Sequence, residues 1–96
     1  MSDELEVTDA THARRFELRR AGELVGFATY HRRGDAVVVR HVETLVQHRG
    51  QGYAHRLMAG IVGRLRGEGR TIVPVCPFAA DYLRDHPEDS DVLHRD

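Results

Sequence analysis

Apolar and polar residues alternate along the first half of the chain. Between Arg14 and Arg20, Phe16 and Leu18 are separated by charged residues, which is the pattern of a half-buried strand. The alternation predicts three strands, at Arg14–Arg20, Leu24–His31 and Ala36–Val46. Short turns at residues 21–23 and 32–35 separate them, so the first two strands should pair as a hairpin. Because the third strand is rich in valine on both faces in its first half, we expect it to be central in the sheet.

The pattern changes to a helical period after residue 52. A helix at Tyr53–Arg66 carries one apolar stripe, which consists of Ala54, Leu57, Met58, Ile61, Val62 and Leu65. A short buried strand at Thr71–Cys76 and a short helix at Pro77–Arg84 follow. The strand–helix–strand order predicts that the fourth strand runs parallel to the third through a right-handed crossover.

These elements predict the α/β (α+β) fold class. The expected architecture is a mixed, mostly antiparallel sheet of about four strands, with a crossover helix and a short C-terminal helix. The 96 residues predict a single domain over residues 1–96. Residues 1–12 and 88–96 are polar, and we expect both segments to be flexible.

Composition excludes several function classes. The net charge is −1, and all 14 basic residues are arginine, so lysine chemistry is excluded and bulk attraction to nucleic acid is unlikely. No apolar run reaches membrane-spanning length. A single cysteine, Cys76, fits a reducing cytoplasm. The seven histidines include no pair at i,i+4 spacing, so no metal site is expected.

The most informative segment joins the third strand to the helix. It reads Leu45-Val46-Gln47-His48-Arg49-Gly50-Gln51-Gly52-Tyr53-Ala54. A strand, close-spaced glycines and a helix N-terminus together build a nest of backbone N–H groups at the positive end of a helix dipole. Such a nest suits a phosphate or pyrophosphate. A Walker A loop is excluded because it needs lysine, and a dinucleotide fingerprint is excluded because His55 occupies its last small-residue position.

The spacing Gln47-x-x-Gly50-x-Gly52 resembles the acyl-CoA signature of the GNAT superfamily of N-acetyltransferases. The order of elements is similar as well, and so is the block Val73-Pro74-Val75-Cys76-Pro77-Phe78 followed by Tyr82 and His86-Pro87. This resemblance, over residues 14–87, is to short stand-alone domains with a minimal acyl-CoA N-acyltransferase (GNAT-like) fold. It implies acetyl-CoA or coenzyme A as co-substrate.

The resemblance implies a cofactor site on residues Leu45, Val46, His48, Arg49, Gly50, Gln51, Gly52, Tyr53 and Ala54. The loop amides and the side chains of His48 and Arg49 would hold the pyrophosphate. The backbone around Leu45 and Val46 would pair with the pantetheine amides, beside a gap between the two parallel strands. Pro74 fits such a gap, and it equally fits an ordinary edge strand.

Three side chains are candidate catalytic residues. Glu43 is a candidate general base with His41 two residues away on the same face, and surface ion pairing is the alternative for both. The resemblance implies that Tyr82 protonates the leaving thiolate, whereas simple aromatic packing beside Phe78 explains it equally well. Cys76 lies at the start of the last helix, where a thiolate is stabilised, which permits a nucleophile. The alternatives are a side chain that forms a wall of the gap, and an ordinary buried cysteine.

The leading interpretation is an acetyl-CoA-dependent N-acetyltransferase that acts by direct attack or through acetyl-Cys76. The alternatives are a coenzyme A-binding module with little turnover that acts through a partner, and a nucleic-acid adaptor that uses the arginines of the first strand. Full-length GNAT enzymes carry two extra helices between their first and second strands, where this chain has only the turn at residues 21–23. The resemblance therefore implies an open acceptor site for a large or flexible amine, such as a protein or polyamine. A homodimer is compatible with this interpretation.

Overall fold

A computed structural model describes residues 4–95 of the chain. Five strands form one sheet in the order β1-β2-β3-β4-β5, with bounds Leu5–Ala10, Arg15–Arg20, Glu23–Arg33, Ala36–Thr44 and Thr71–Pro74. Helix α1 spans Tyr53–Glu68 and helix α2 spans Pro77–Asp85. Short 3-10 helices lie at Thr11–Ala13, Val46–His48 and Pro87–Val92. The α+β class, the antiparallel hairpins and the parallel β4–β5 pair are confirmed.

The prediction of a loose N-terminal segment was wrong. Leu5–Ala10 is an edge strand whose register with β2 places Val7 opposite Leu18. Leu5 and Val7 pack against the core, and the alternation of these two residues with polar neighbours was the signal that could have identified the strand. The connection between the first and second strands is therefore the 3-10 turn Thr11–Ala13, and not the turn at residues 21–23.

The C-terminal segment is also ordered, against the expectation of flexibility from residue 88. Arg66 on α1 contacts the carboxylates of Asp89 and Asp91, at 3.0 and 2.8 Å. Leu93 then forms a parallel bridge with Ile72 on the outer edge of β5. These contacts fasten residues 87–94 across the end of α1 and along the sheet edge. Asp96 and residues 1–3, parts of the segments predicted to be flexible, lie outside the described residues.

The feature that positions the site is the separation of β4 from β5. β5 pairs only with Ala36–Val39, and the Val39 carbonyl accepts the last two bonds, from the N–H groups of Val75 at 3.0 Å and Cys76 at 3.1 Å. β4 bulges at the next residue, Arg40, and continues alone on that side to Thr44. Both interpretations of Pro74 hold, because it lies on an edge strand and the two strands part directly after it.

One apolar core joins α1 and α2 to a single face of the sheet. Strand side chains such as Phe16, Leu18 and Val37 are fully buried against the predicted stripe of α1, from Leu57 to Leu65. Tyr53 is buried at the start of this stripe in place of the predicted Ala54, which is only partly buried. In the part of the chain that the structure describes, no helix is long and apolar enough to cross a membrane.

Two glycines of α1 test the packing of β1. A Cβ at Gly60 would lie 2.3 Å from Cγ2 of Val7, whereas a Cβ at Gly63 would meet nothing within 4 Å. We expect Gly60→Ala to destabilise the protein by about 1–3 kcal/mol because the strand must shift. Gly63→Ala should instead stabilise it by about 0.5–1 kcal/mol through helix propensity. Urea unfolding of both variants measures the difference. Equal stabilisation by the two alanines would contradict the packing of β1 on α1.

Candidate functional site

The loop between β4 and α1 presents a run of unused amides. The backbone N–H groups of residues 50–55 make no hydrogen bond to any group within residues 4–95. Gly52 is the N-cap of α1, and no side chain caps the helix. The first turn contains no acidic residue, so the positive end of the helix dipole is uncompensated. This segment, called the anion seat below, therefore has the free donors and the positive potential that suit an anion.

Glycine is required in this loop for its backbone conformation. Gly50 and Gly52 have φ values of 81° and 78°, in the left-handed region that other residues rarely adopt. A Cβ at either position would meet no atom within 4 Å, so the protein itself does not crowd them. Gln51 between them does not have a positive φ, so left-handed and ordinary residues alternate along the loop. Such alternation turns successive amides toward one side, as in other anion-binding nests.

The predicted side-chain partners of an anion are directed elsewhere. His48 Nε2 lies 3.2 Å from Oε2 of Glu23 on β3, and the His48 ring packs edge-on against Tyr53. Arg49 donates from Nε to the Thr44 carbonyl at 3.1 Å, which fastens the loop to the end of β4. These contacts brace the loop, so the backbone amides are the groups left to meet a ligand. The roles predicted for His48 and Arg49 stay predictions.

A cationic pocket adjoins the anion seat. It has a volume of about 270 Å³ and is lined by Leu5, Arg20, Gln51, Tyr53 and Arg56. Arg20 donates to the Tyr53 hydroxyl at 2.8 Å, which ties the end of β2 to the start of α1. No signal in the sequence pattern connects Arg20 to the loop. The link depends on β2 lying next to α1, which the sequence pattern alone does not show.

The backbone that faces the gap comes from β4 before the predicted segment. Leu45 donates its N–H to the Val25 carbonyl at 2.9 Å, so that amide is not available to a ligand in the gap. Peptide groups alternate in direction along a strand, so those of Val42 and Thr44 point away from β3, toward the side that β5 has left. The edge able to pair with an extended ligand is therefore at Val42 and Thr44.

Cys76 lies at the narrow end of this gap. It is the N-cap residue of α2, is 7% exposed, and belongs to the apolar core. Its N–H is bonded to the Val39 carbonyl, and its own carbonyl accepts from Ala80 at 3.0 Å. The backbone at Cys76 is thus fixed on both sides, at the point where the two parallel strands part.

Glu43 and His41 form a pair on the sheet face opposite α1. His41 Nε2 lies 3.0 Å from Oε1 of Glu43, and the two side chains are 57% and 39% exposed. Their shared face was predicted from the spacing, and the bulge at Arg40 precedes the pair without separating it. Glu43 is therefore accessible to solvent, with an imidazole as its neighbour.

Tyr82 combines a packed ring with an unpaired hydroxyl. The ring stacks on His86 at a centroid distance of 3.9 Å and lies 6.1 Å from the ring of His55 on α1. Its hydroxyl has no hydrogen-bond partner among residues 4–95. Burial raises the pKa of Tyr82, and the nearby carboxylates of Asp89 and Glu88 raise it further. The hydroxyl therefore stays protonated at neutral pH and is suited to donate.

An ion cluster that the alternation did not predict lies on the same sheet face as Glu43. Glu17 is only 7% exposed, although its position suggested a solvated side chain. Arg15 and Arg19 flank it at 2.8 Å each, and the Arg15 guanidinium lies 4.6 Å from the centre of the Phe27 ring. Burial raises the pKa of Glu17, but the hydrogen bonds and charges of Arg19 and Arg15 outweigh burial and leave it below the ordinary 4.5.

The structure also bears on a metal site. Within residues 4–95, no group of three or more His, Cys, Asp or Glu side chains is arranged to hold a metal ion. The seven histidines are distributed among separate contacts, as those of His41, His48 and His86 illustrate.

Comparison with known proteins identifies the family from the sequence and the fold from solved structures. The sequence pattern of the family described as GCN5-related N-acetyl-transferase matches residues 15–92. A GCN5-like protein from Staphylococcus aureus, solved by NMR, has 22% identity and a TM-score of 0.71, with 98% of this chain and 91% of that chain covered. No curated protein matches the chain.

Two larger enzymes share the fold. The ribosomal-protein-S18-alanine N-acetyltransferase of Escherichia coli is 19% identical with a TM-score of 0.58, over 76% of this chain and 50% of its own length. The ribosomal-protein-alanine N-acetyltransferase of Brucella melitensis biovar Abortus 2308 is 20% identical with a TM-score of 0.54, over 85% and 62%. This chain thus spans about half to three fifths of those two proteins.

The Glu17 cluster predicts a specific pH dependence. A carboxyl whose pKa is lowered on folding stabilises the protein above its unfolded pKa, and the effect is lost as pH falls through the folded value. We expect Glu17→Gln to cost about 1–2 kcal/mol near pH 7 and progressively less below about pH 4.5. Urea unfolding between pH 3 and pH 7 measures this. Glu88→Gln is the control, because Glu88 is exposed and makes no recorded ion pair. A Glu17→Gln cost that is constant with pH would contradict the ion cluster.

Proposed function

Because the chain belongs to the GCN5-related N-acetyltransferase (GNAT) family, we propose that it transfers an acetyl group from acetyl-CoA to an amine. The observation that carries this proposal is the run of unpaired amides at residues 50–55, next to the gap between β4 and β5. Coenzyme A has a diphosphate, which suits the unpaired amides, and an extended arm with two amides, which suits the gap.

The loop fits the diphosphate by its chemistry. Its amides have no hydrogen-bond partners within residues 4–95, its glycines leave open space above the backbone, and no acidic side chain lies in the first turn of α1. Arg56 and Arg20 line the adjoining pocket and can meet the remaining phosphate charge. Val42 and Thr44 on the free edge of β4 are placed to pair with the amide arm, as they would with an added strand.

Bound acetyl-CoA supplies an activated thioester, and the chain supplies the groups that move protons. Glu43, beside His41, accepts a proton from the incoming amine, directly or through water. The unpaired Tyr82 hydroxyl donates a proton to the departing thiolate. In the variant route, the Cys76 sulfur attacks the thioester carbonyl and displaces coenzyme A, whose thiolate takes up a proton. The amine then attacks the acetyl-Cys76 thioester, which forms the amide and releases the Cys76 thiol. The position of Cys76 at the narrow end of the gap supports either a nucleophile or a wall.

The open face suggests the kind of acceptor. Only the 3-10 turn Thr11–Ala13 joins β1 to β2, and within residues 4–95 both α-helices pack on the sheet face opposite Glu43. Glu43 and His41 are accessible on that face. An amine on a protein or a polyamine can reach it, whereas a small metabolite would find little enclosure there.

A coenzyme A-binding module with little turnover is the second candidate. It is favoured by the side-chain exposure of Glu43 and His41, since a general base usually works in a more enclosed site. Both candidate functions use the same coenzyme A site, and they differ only in whether acetyl-CoA is turned over.

Cofactor binding is tested by thermal unfolding with and without acetyl-CoA. A ligand at 100 times its Kd stabilises the folded state by about 2.7 kcal/mol, and we expect a clear rise in Tm. Gly50→Glu should abolish the rise by placing a carboxylate among the amides. Gly34→Glu is the matched control, because Gly34 also has a positive φ and open space but lies in the β3–β4 turn. Equal Tm shifts in the two variants would contradict the proposed seat.

Turnover is tested by the release of free thiol from acetyl-CoA with a polyamine or a lysine peptide. We expect Glu43→Gln to lower the rate about 100-fold at unchanged acetyl-CoA affinity, and the exposed-residue control Glu6→Gln to leave it unchanged. Thiol release that is equal in Glu43→Gln and wild type would remove Glu43 as the base. Acetyl-CoA binding without thiol release from any amine would favour the binding module.

The two chemical routes are separated by Cys76→Ala. Direct attack predicts that this variant keeps most of its activity. The covalent route predicts an inactive but folded variant. It also predicts a mass increase of about 42 Da on wild-type Cys76, because an acetyl group replaces one hydrogen atom, and mass spectrometry measures this. Full activity without an adduct would exclude the covalent route.

A further inference from the structure

A second cavity lies at the other end of the sheet. It has a volume of about 350 Å³ and is lined by Thr11, Arg14, Tyr30, His31 and Arg32. Arg32 pairs with Val37 at the start of β4, whereas the glycine loop follows the end of that strand. Eight residues of extended chain span about 25 Å, so the cavity is remote from the proposed coenzyme A seat.

The lining of this cavity is cationic, although the chain as a whole has a net charge of −1. Among its walls are two arginines and a histidine and no acidic side chain. Asp9 lies next to it, where it accepts from Arg32 at 3.1 Å and from the Tyr30 hydroxyl. That carboxylate compensates Arg32 but leaves Arg14 and His31, neither of which has a recorded partner within residues 4–95.

An unpaired strand edge adds a backbone donor. β2 begins at Arg15, opposite Thr29, and β3 continues past it to Arg33. Tyr30 donates its N–H to the Arg14 carbonyl at 3.0 Å, which is the last bond on this side. Since peptide groups alternate along a strand, the N–H of Arg32 points to the same side, where no strand follows. Within residues 4–95, the cavity therefore combines the unpaired guanidinium of Arg14, the Asp9-paired guanidinium of Arg32 and a free backbone N–H.

We propose that this cavity is a second anion-binding site, which holds a carboxylate or phosphate group of a ligand other than coenzyme A. Guanidinium groups recognise the two oxyanions by the same charge-assisted hydrogen bonds, and a backbone N–H at a strand edge adds direction to them. The inference is independent of the proposed acetyl transfer, because none of the lining residues belongs to the glycine loop or to the β4–β5 gap.

The test is an NMR titration of the ¹⁵N-labelled full chain with inorganic phosphate and, separately, with acetate. Saturable shifts of the Arg14 and Arg32 amides by either ion are expected. Signals of Gly50 and Gly52 report any phosphate at the glycine loop, and Gly50→Glu should remove those shifts alone. Shifts at Arg14 and Arg32 that grow linearly with both ions would overturn the proposal.

Arg14 allows a substitution that spares the fold. Its φ of 53° lies in the left-handed region, which asparagine adopts more readily than arginine, so Arg14→Asn removes the charge without adding strain. Loss of one charge-assisted contact should weaken oxyanion binding about tenfold. Arg33→Gln is the control, since Arg33 is adjacent and exposed but does not line the cavity.

The outcomes separate this site from the proposed enzyme. Unchanged oxyanion affinity in Arg14→Asn, or equal weakening in Arg33→Gln, would overturn the second site and would leave the acetyl-CoA result untouched. Arg14→Asn should keep the full rise in Tm with acetyl-CoA. Loss of that rise would also count against the proposal, because it would mean that the two regions are not separate.

Discussion

The separation of β4 from β5 after Val39 is the constraint on which the rest of the site depends. One carbonyl, that of Val39, receives the N–H groups of both Val75 and Cys76, so the parallel ladder ends there. Pro77 then begins α2 and directs the chain away from the sheet. The free edge of β4, the place of Cys76 and the access to the gap all follow from this termination. A regular fifth strand would have closed the gap with main-chain bonds.

Local patterns were sufficient for most of the fold. The alternation around Phe16 and Leu18 identified the hairpin, and the stripe from Leu57 to Leu65 identified the helix. The family expected from the glycine loop and the order of elements is confirmed by the match of the family's sequence pattern to residues 15–92. The errors lie at the termini, where order comes from distant contacts. β1 is held by pairing with β2 and by Gly60 on α1, and the last segment is held by Arg66 and Ile72. The alternation of Leu5 and Val7 could have identified β1 as a strand, but a pattern within six residues cannot identify the distant partners that hold it.

The candidate site divides in the same way. The need for glycine at residues 50 and 52 could be inferred because it is a property of the backbone itself. The partners of the surrounding residues could not, because Glu23 and Val25, which bond to His48 and Leu45, lie on a strand 20 or more residues away in the sequence. For that reason the backbone of the loop is better defined by the sequence than the role of His48, Arg49 or Leu45. The predicted catalytic roles of Glu43, Tyr82 and Cys76 stay predictions, with a geometry that is compatible with each.

The strand order has a consequence for how the domain assembles. Every neighbour in the sheet is also a neighbour in the chain, from β1 through β5, so no strand has to insert between two others. Four of the five strands are joined by connections of a few residues, and only the segment 45–70 must close a long loop. Such a topology has mostly short-range contacts, which favour rapid folding. The antiparallel meander can thus form as one local unit, and the gap exists only once β5 has paired with β4 across the long connection.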